Sequence, residues 1–238
     1  MGTNQNWGFY QMLRPSQIDA IKNVYPIAYL PWGAIEYHGK HNPVGLDSTK
    51  AFRLSVEMAK CVGGIVMPTV DFSANLIKSY PGVDFKDYSI EFSEKLVESI
   101  CKEYLNQLAE QEFKIIVILS GHAGEPHLSI LKKVAENFNQ KNNSQYCWAF
   151  AEFEILPKAL LKANHSGYGE TSIQLYYEPS TVSLKTLPKN REITLNLDAV
   201  TGGDPRKATA VQGEKIVKNF IKIAQEEMKI LFEKYILE

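Results

Sequence analysis

Cysteine is scarce, with Cys61, Cys101 and Cys147 the only three in 238 residues. They are too few and too scattered for a disulfide framework or a thiolate metal site, which points to a reducing, cytoplasmic setting. No charge of one sign predominates. Lys and Arg number 26 against 27 Asp and Glu, a net charge of −1, so there is no electrostatic footprint for nucleic acid or an acidic membrane. No apolar run approaches the roughly 20 residues that span a bilayer, and the opening MGTNQNWGFYQML lacks the basic-then-apolar pattern of a signal peptide. Repeats, low-complexity linkers and composition breaks are missing, so a single domain over residues 1–238 is expected. What the chain does have is 45% hydrophobic and 11% aromatic residues, enough for a sizeable core. Histidine is rare, at five residues, and their placement matters more than their number.

Apolar runs of strand length alternate with amphipathic runs of helix length, the pattern of an α/β protein with a mainly parallel sheet covered on both faces. Strands are expected at Pro26 to Trp32, Ile65 to Val70, Lys114 to Ser120 and Gln145 to Phe153. KIIVILS, the continuous β-branched run at Lys114 to Ser120, reads as the central one. Helical spacing predicts helices over Ser48 to Val62, Ser89 to about Glu112, Pro126 to about Asn139, Glu170 to about Tyr177 and Thr209 to Tyr235, with a short one in LPKALLKAN. Asp71 to Tyr88 lacks periodicity and reads as a long loop, a feature often tied to function.

Four segments could carry chemistry. GAIEYHGKHNPVGLDS, Gly33 to Ser48, packs Glu36, His38, His41 and Asp47 behind a strand. If Glu36 and His38 lie on an extended strand end, their i,i+2 spacing points both to one face, and carboxylate with imidazole suits a divalent ion. A solvated polar strand end is the plain alternative. SGHAGE, Ser120 to Glu125, follows the central strand, where open α/β sheets bind ligands; Gly121 and Gly124 let backbone come close, and His122 is a ligand or a structural histidine. His127 reads as ordinary surface. HSGYGETS, His165 to Ser172, offers a loop histidine and Glu170, the latter equally a favourable acid at a helix start. GGDPRKATAVQGE, Gly202 to Glu214, is a loop and helix cap in which Arg206 and Lys207 could reach a neighbour or an anionic group.

Taken together, the four segments resemble the creatininase (creatinine amidohydrolase) family. Its first motif, P-x-G-x-x-E-x-H-G-x-H-x-P followed by G-x-D, is matched at every fixed letter from Pro31 to Asp47, and the resemblance runs from about Tyr25 to Glu214. It implies a three-layer α/β/α fold holding two divalent ions at the carboxyl ends of the sheet, zinc first, with manganese or iron as alternatives. By motif position, Glu36 and His122 would bind one ion and His38 and Glu170 the other, with Asp47 bridging. His165 would protonate the leaving nitrogen or steady the oxyanion. The implied reaction is hydrolysis of a non-peptide C–N bond in a small amide, cyclic amide or formamide. Deformylation of a formylamino-pyrimidine, a mycofactocin-type peptidase activity and a non-catalytic metal-binding subunit are the alternatives. Homohexameric assembly is also implied.

The sequence departs from the family's pattern in places. Gly124 stands where creatininases proper have a glutamate, which shifts the second ion onto Glu170. Glu125 adds a carboxylate that could shuttle protons, support a ligand or cap a helix. Ala123 replaces a tyrosine, and Leu160, Leu161, Lys162 and Ala163 stand before His165 where a tryptophan is expected, which points away from creatinine itself. The segment from Asp71 to Asp84, with Trp148 and Tyr168, is expected to line the substrate side.

Overall fold

The computed structural model describes residues 5–237. Five strands form one sheet in the order β1-β3-β2-β4-β5: β1 Trp7–Phe9, β2 Ile27–Trp32, β3 Gly64–Val66, β4 Ile115–Ser120 and β5 Tyr146–Ala151. All of their pairings are parallel. The helices are α1 Pro15–Lys22, α2 Leu46–Val62, α3 Glu94–Glu110, α4 His127–Lys141, α5 Glu152–Ile155, α6 Tyr168–Tyr177, α7 Leu195–Asp198 and α8 Ala210–Phe232.

Strand alternation builds two cores. On β2 and β4, Ala28, Leu30, Ile116 and Ile118 point to a layer of Val97, Cys101 and Leu105 from α3 and Leu131, Val134 and Phe138 from α4. Ile27, Tyr29, Ile115, Val117 and Leu119 point the opposite way, onto Leu54 and Met58 of α2 and Ile216, Phe220 and Ala224 of α8. The three-layer α/β/α arrangement follows from strands that are apolar on both faces. None of the helices among the described residues is long and apolar enough to cross a membrane.

Several element boundaries differ from the sequence reading. β3 stops at Val66 because Pro68 has no N–H to give a ladder, and Val70 pairs with Trp32 only as an isolated bridge. The helix expected from Ser89 starts at Glu94, capped by the Ser93 side chain, while Ile90 N–H and Phe92 N–H donate to the carbonyls of Ile35 and Ser73. β5 ends at Ala151, and Glu152 opens the short α5. LPKALLKAN forms one turn closed on the Pro157 carbonyl and no helix; so short a segment does not repay helix nucleation. β1 and α1 were not anticipated, since three edge residues carry no readable period.

After β2 the chain crosses to β3 on one side, and after β4 to β5 on the other. The crevice between the carboxyl ends of β2 and β4 is therefore the topological switch point, the place where open parallel sheets bind ligands. Glu36 follows β2 and His122 follows β4 into that crevice.

Candidate metal centre

Regular strand ends at Trp32, so Glu36 and His38 are carried by the irregular segment beyond it rather than by an extended strand end. Asp47 sits in the first turn of α2, where the helix dipole favours a carboxylate. His122 leaves β4, and Glu170 lies in the first turn of α6. All five are at most 5% exposed. His122 Nδ1 lies 2.9 Å from Glu36 Oε2 and 3.5 Å from Asp47 Oδ2. His38 Nε2 lies 3.3 Å from Asp47 Oδ1 and 4.0 Å from Glu170 Oε2. Two donor triples result, Glu36–Asp47–His122 and His38–Asp47–Glu170, with Asp47 common to both; a third, Glu36–His38–His165, overlaps them.

Backbone carbonyls hold the rings. A carbonyl can only accept, so His38 Nδ1–H donates to Glu36 O at 3.0 Å and His122 Nε2–H to Ala74 O at 3.2 Å. The opposite nitrogens, which face the carboxylates, are thereby left with the lone pair when the rings are neutral. A lone pair 2.9 Å from a carboxylate oxygen is repulsive unless a cation or a proton lies between them. Consistently, Glu36 Oε2, His38 Nε2 and Asp47 Oδ2 are buried without a hydrogen-bond partner. Carboxylate and imidazole donors that converge in this way, with their second nitrogens anchored, fit divalent ions of the zinc or manganese kind.

Without an ion, protons fill that role. Burial pushes His38 down, but Asp47, Glu36 and Glu170 outweigh it and raise its pKa to about 9. Burial acts on His122 in the same direction, and Glu36 and Asp47 carry it well above the usual range. Burial would raise Asp47, yet His38, His122 and Lys50 hold it well below an ordinary carboxylate. The sign of the pH dependence follows. His38, with a folded pKa of about 9 against about 6.5 unfolded, contributes stability that is complete below pH 6.5 and lost as pH rises through 9. The chelator-treated chain should therefore lose up to about 3 kcal/mol between pH 6 and 9.5 from this residue. Urea melts at the two pH values check this, and equal or greater stability at pH 9.5 would sink it. Added zinc should reverse the trend, because the ion competes with those protons.

Around the centre, His165 Nε2–H donates to Tyr37 O at 2.9 Å, and the ring stacks on His38 with centroids 4.4 Å apart. Burial and the neighbouring His38 lower the His165 pKa, keeping it neutral. Ser166 adopts a left-handed φ of 55°. Its N–H donates to Glu170 Oε2 at 2.7 Å, and its hydroxyl to the His38 carbonyl. His41, whose pKa burial drives down to about 4, holds the same loop through the Ser166 carbonyl and Thr171. Glu125 is exposed at the rim of the cavity, its carboxylate accepting from Ser129 N–H and Oγ–H at 3.3 and 2.6 Å.

A cavity of about 340 Å³ opens over the centre. Asn75, Ile77 and Tyr80 line it, so the long loop contributes as expected, together with Phe153, Asn164 and Leu195. Trp148 does not line it but stacks on Phe150 at 3.9 Å, on the α8 side of the sheet. Tyr168 borders a separate hollow with Lys158 and Lys215. Arg206 is tied down within the chain by Asp204 and the carbonyls of Pro188 and Arg191.

Two buried residues were misread or missed. His127 is not surface: it is fully buried, its Nδ1 accepts from Ala74 N–H at 3.4 Å, and its ring lies 5.0 Å from His122. Its spacing with Leu131, Val134 and Phe138 on the buried face of α4 was the available signal. Lys50 is buried on α2, with Nζ 2.8 Å from Glu152 and 2.6 Å from Glu170. Burial alone would discharge it, but Glu152, Glu170 and Asp47 outweigh that and raise its pKa. A lysine in line with Leu46, Ala51, Leu54 and Met58 was the legible anomaly.

The sequence profile described as creatinine amidohydrolase matches residues 11–227, most of the chain. The chain belongs to the creatininase family. No curated protein matches it. Among solved structures, this creatininase-family chain is similar to a Bacteroides fragilis NCTC 9343 protein assigned as a creatinine amidohydrolase, with 25% identity, a TM-score of 0.75 and coverage of 98% of each chain. It is also similar to a creatininase at 16% identity, with a TM-score of 0.79 over 94% of this chain and 97% of that one. A manganese creatininase aligns with the same TM-score of 0.79 and 16% identity, covering 94% of this chain and 98% of that one. These last two likenesses establish the fold. The chain thus shares the architecture of creatininases.

Proposed function

We propose that the chain is a dinuclear metal-dependent amidohydrolase cleaving a non-peptide C–N bond in a small amide, cyclic amide or formamide. The observation that carries this reading is the sharing of Asp47 by two buried donor triples beneath one cavity. Glu36, His122 and Asp47 would hold one ion, and His38, Glu170 and Asp47 the other, with zinc first and manganese or iron as alternatives. Bound there, divalent ions supply Lewis acidity toward a carbonyl oxygen and ease deprotonation of a water. Each triple provides three protein donors, leaving positions free for substrate and water.

The remaining work falls to the chain's own groups. His165 is neutral, and its Nε2–H is committed to the Tyr37 carbonyl, so Nδ1 is its free acceptor. That atom takes the proton of the attacking water and returns it to the leaving nitrogen. The alternative role, donating to the oxyanion, needs the N–H that Tyr37 already occupies. Glu125, engaged with Ser129, acts as a helix-start acid rather than a proton shuttle. A cavity of about 340 Å³ lies at the small end of ligand pockets. Ile77, Phe153 and Leu195 offer apolar walls, with Asn75 and Asn164 as polar contacts, and no tryptophan lines it. This favours a compact substrate other than creatinine. The single-domain organisation, cytoplasmic location and homohexamer belong to the same proposal, and sedimentation tests the last.

The deciding experiment measures metal per chain by plasma emission, then amine release from lactams, formamides including a formylamino-pyrimidine, cyclic guanidines including creatinine, and short peptides. Two ions and turnover of a non-peptide amide are expected. Two ions without any turnover would favour the non-catalytic alternative, and no bound ion after reconstitution would remove both readings.

A further inference from the structure

Lys50 projects from α2 one turn beyond Asp47, and no motif includes it. Its Nζ lies 2.6 Å from Glu170 Oε1, 2.8 Å from Glu152 Oε1 and 3.9 Å from Asp47 Oδ1. Both Lys50 and Glu152 are at most 3% exposed and line the cavity. A buried ammonium is retained only when carboxylates compensate its lost hydration, and here two do so at short range.

The consequence for Glu170 is a division of labour. Oε1 accepts from Lys50, whereas Oε2 accepts from Ser166 N–H and is the oxygen nearer His38. Lys50 thereby fixes which edge of Glu170 faces His38. The Asp47 oxygen nearest the ammonium, Oδ1, is also the one that faces His38 Nε2, at 3.3 Å. Glu36 and His122 make no contact with Lys50 within ion-pair range. The positive charge thus bears directly on the His38–Asp47–Glu170 triple through two of its members and reaches the other only through the shared Asp47.

We propose that Lys50, anchored by Glu152, is a positioning residue that orients Glu170 and weakens the His38–Asp47–Glu170 triple for a second divalent cation relative to the Glu36–Asp47–His122 triple. This rests on the dinuclear reading above. Lys50 is a fixed internal cation opposing the second ion, and the Glu152 carboxylate, 2.8 Å from its Nζ, offsets part of that positive charge. The two residues therefore have opposite effects: removing the ammonium tightens the second site, and neutralising its anchor loosens it.

The test uses the full chain, stripped of metal and titrated with zinc against a chromophoric chelator at pH 8, as wild type, Lys50→Met and Glu152→Gln. Relative to wild type, the weaker zinc site should tighten at least about tenfold in K50M and loosen about tenfold in E152Q, with the stronger site within about threefold. Shifts of the same sign, no shift, or equal loss at both sites would overturn the proposal while leaving the dinuclear reading intact. Failure of wild type to bind any zinc would defeat that reading and this inference with it. If K50M does not fold, the site-selective loosening in E152Q decides, since a merely structural defect would weaken both sites alike.

Discussion

Replacing Asp47 by alanine is expected to abolish measurable amide hydrolysis and to strip the chain of most of its bound metal. The residue is the common member of both donor triples, 3.3 Å from His38 Nε2 through one oxygen and 3.5 Å from His122 Nδ1 through the other. Loss of a group that merely supports a metal ligand costs 10–100-fold, so loss of a shared donor should cost more than about a hundredfold in kcat/KM. Asp47→Asn, which keeps the shape and one oxygen donor but removes the charge, should fall between alanine and wild type in zinc affinity. Plasma emission on dialysed protein and amine release on the best substrate of the panel give the two readouts. Activity of D47A within a few fold of wild type, with two ions still bound, would falsify the bridging role and with it the dinuclear chemistry.

How far the sequence reveals this molecule can be judged residue by residue. The KIIVILS run and the two-sided apolar alternation of β2 and β4 announce a covered parallel sheet, and the order of motifs along the chain brings Glu36, Asp47, His122 and Glu170 into one neighbourhood. The sheet pattern is local and repeats at a fixed period, so a single sequence displays it, whereas the gathering of these four side chains was legible only through the resemblance of the motifs to the creatininase family. β1 is invisible by the same logic: three residues on a sheet edge have too little pattern to read, and its pairing with β3 is set by tertiary contact. Trp148 misled because an aromatic side chain is equally at home in a core, and strand alternation turns it toward Phe150 and α8 instead of the cavity. His127 and Lys50 were hidden for a common reason. Each is polar on an otherwise apolar helix face, and its meaning depends on partners far along the chain: Ala74 for one, Glu152 and Glu170 for the other. The tautomers of His38 and His122 were likewise out of reach, since main-chain carbonyls set them and carry no sequence signal.

The glycines of SGHAGE show how closely the fold holds the centre together. Neither Gly121 nor Gly124 has a positive φ, so what they provide is space rather than a left-handed turn. Gly121 N–H donates to the Trp32 carbonyl at 2.7 Å, joining the ends of β4 and β2. A Cβ placed there would stand 2.1 Å from the Asp47 carbonyl oxygen and 2.8 Å from the Asp47 carbonyl carbon. These are backbone atoms, so no side chain can rotate away; either the first turn of α2 or the strand end must move. Gly121→Ala should accordingly destabilise the chain by about 3 kcal/mol or more, at the upper end of overpacking costs. It should also weaken zinc binding at both sites, because the displaced element carries either Asp47 or His122. Gly45→Ala is the matched control: it too precedes Asp47 closely, but its added Cβ meets nothing within 4 Å. Its change should stay within about 1 kcal/mol, the small difference between glycine and alanine at a helix start. Urea unfolding of both variants, with and without zinc, separates the two effects. A G121A chain as stable as wild type would mean that α2 and β4 can separate freely, and the rigid sharing of Asp47 between two ions would then lose its structural basis.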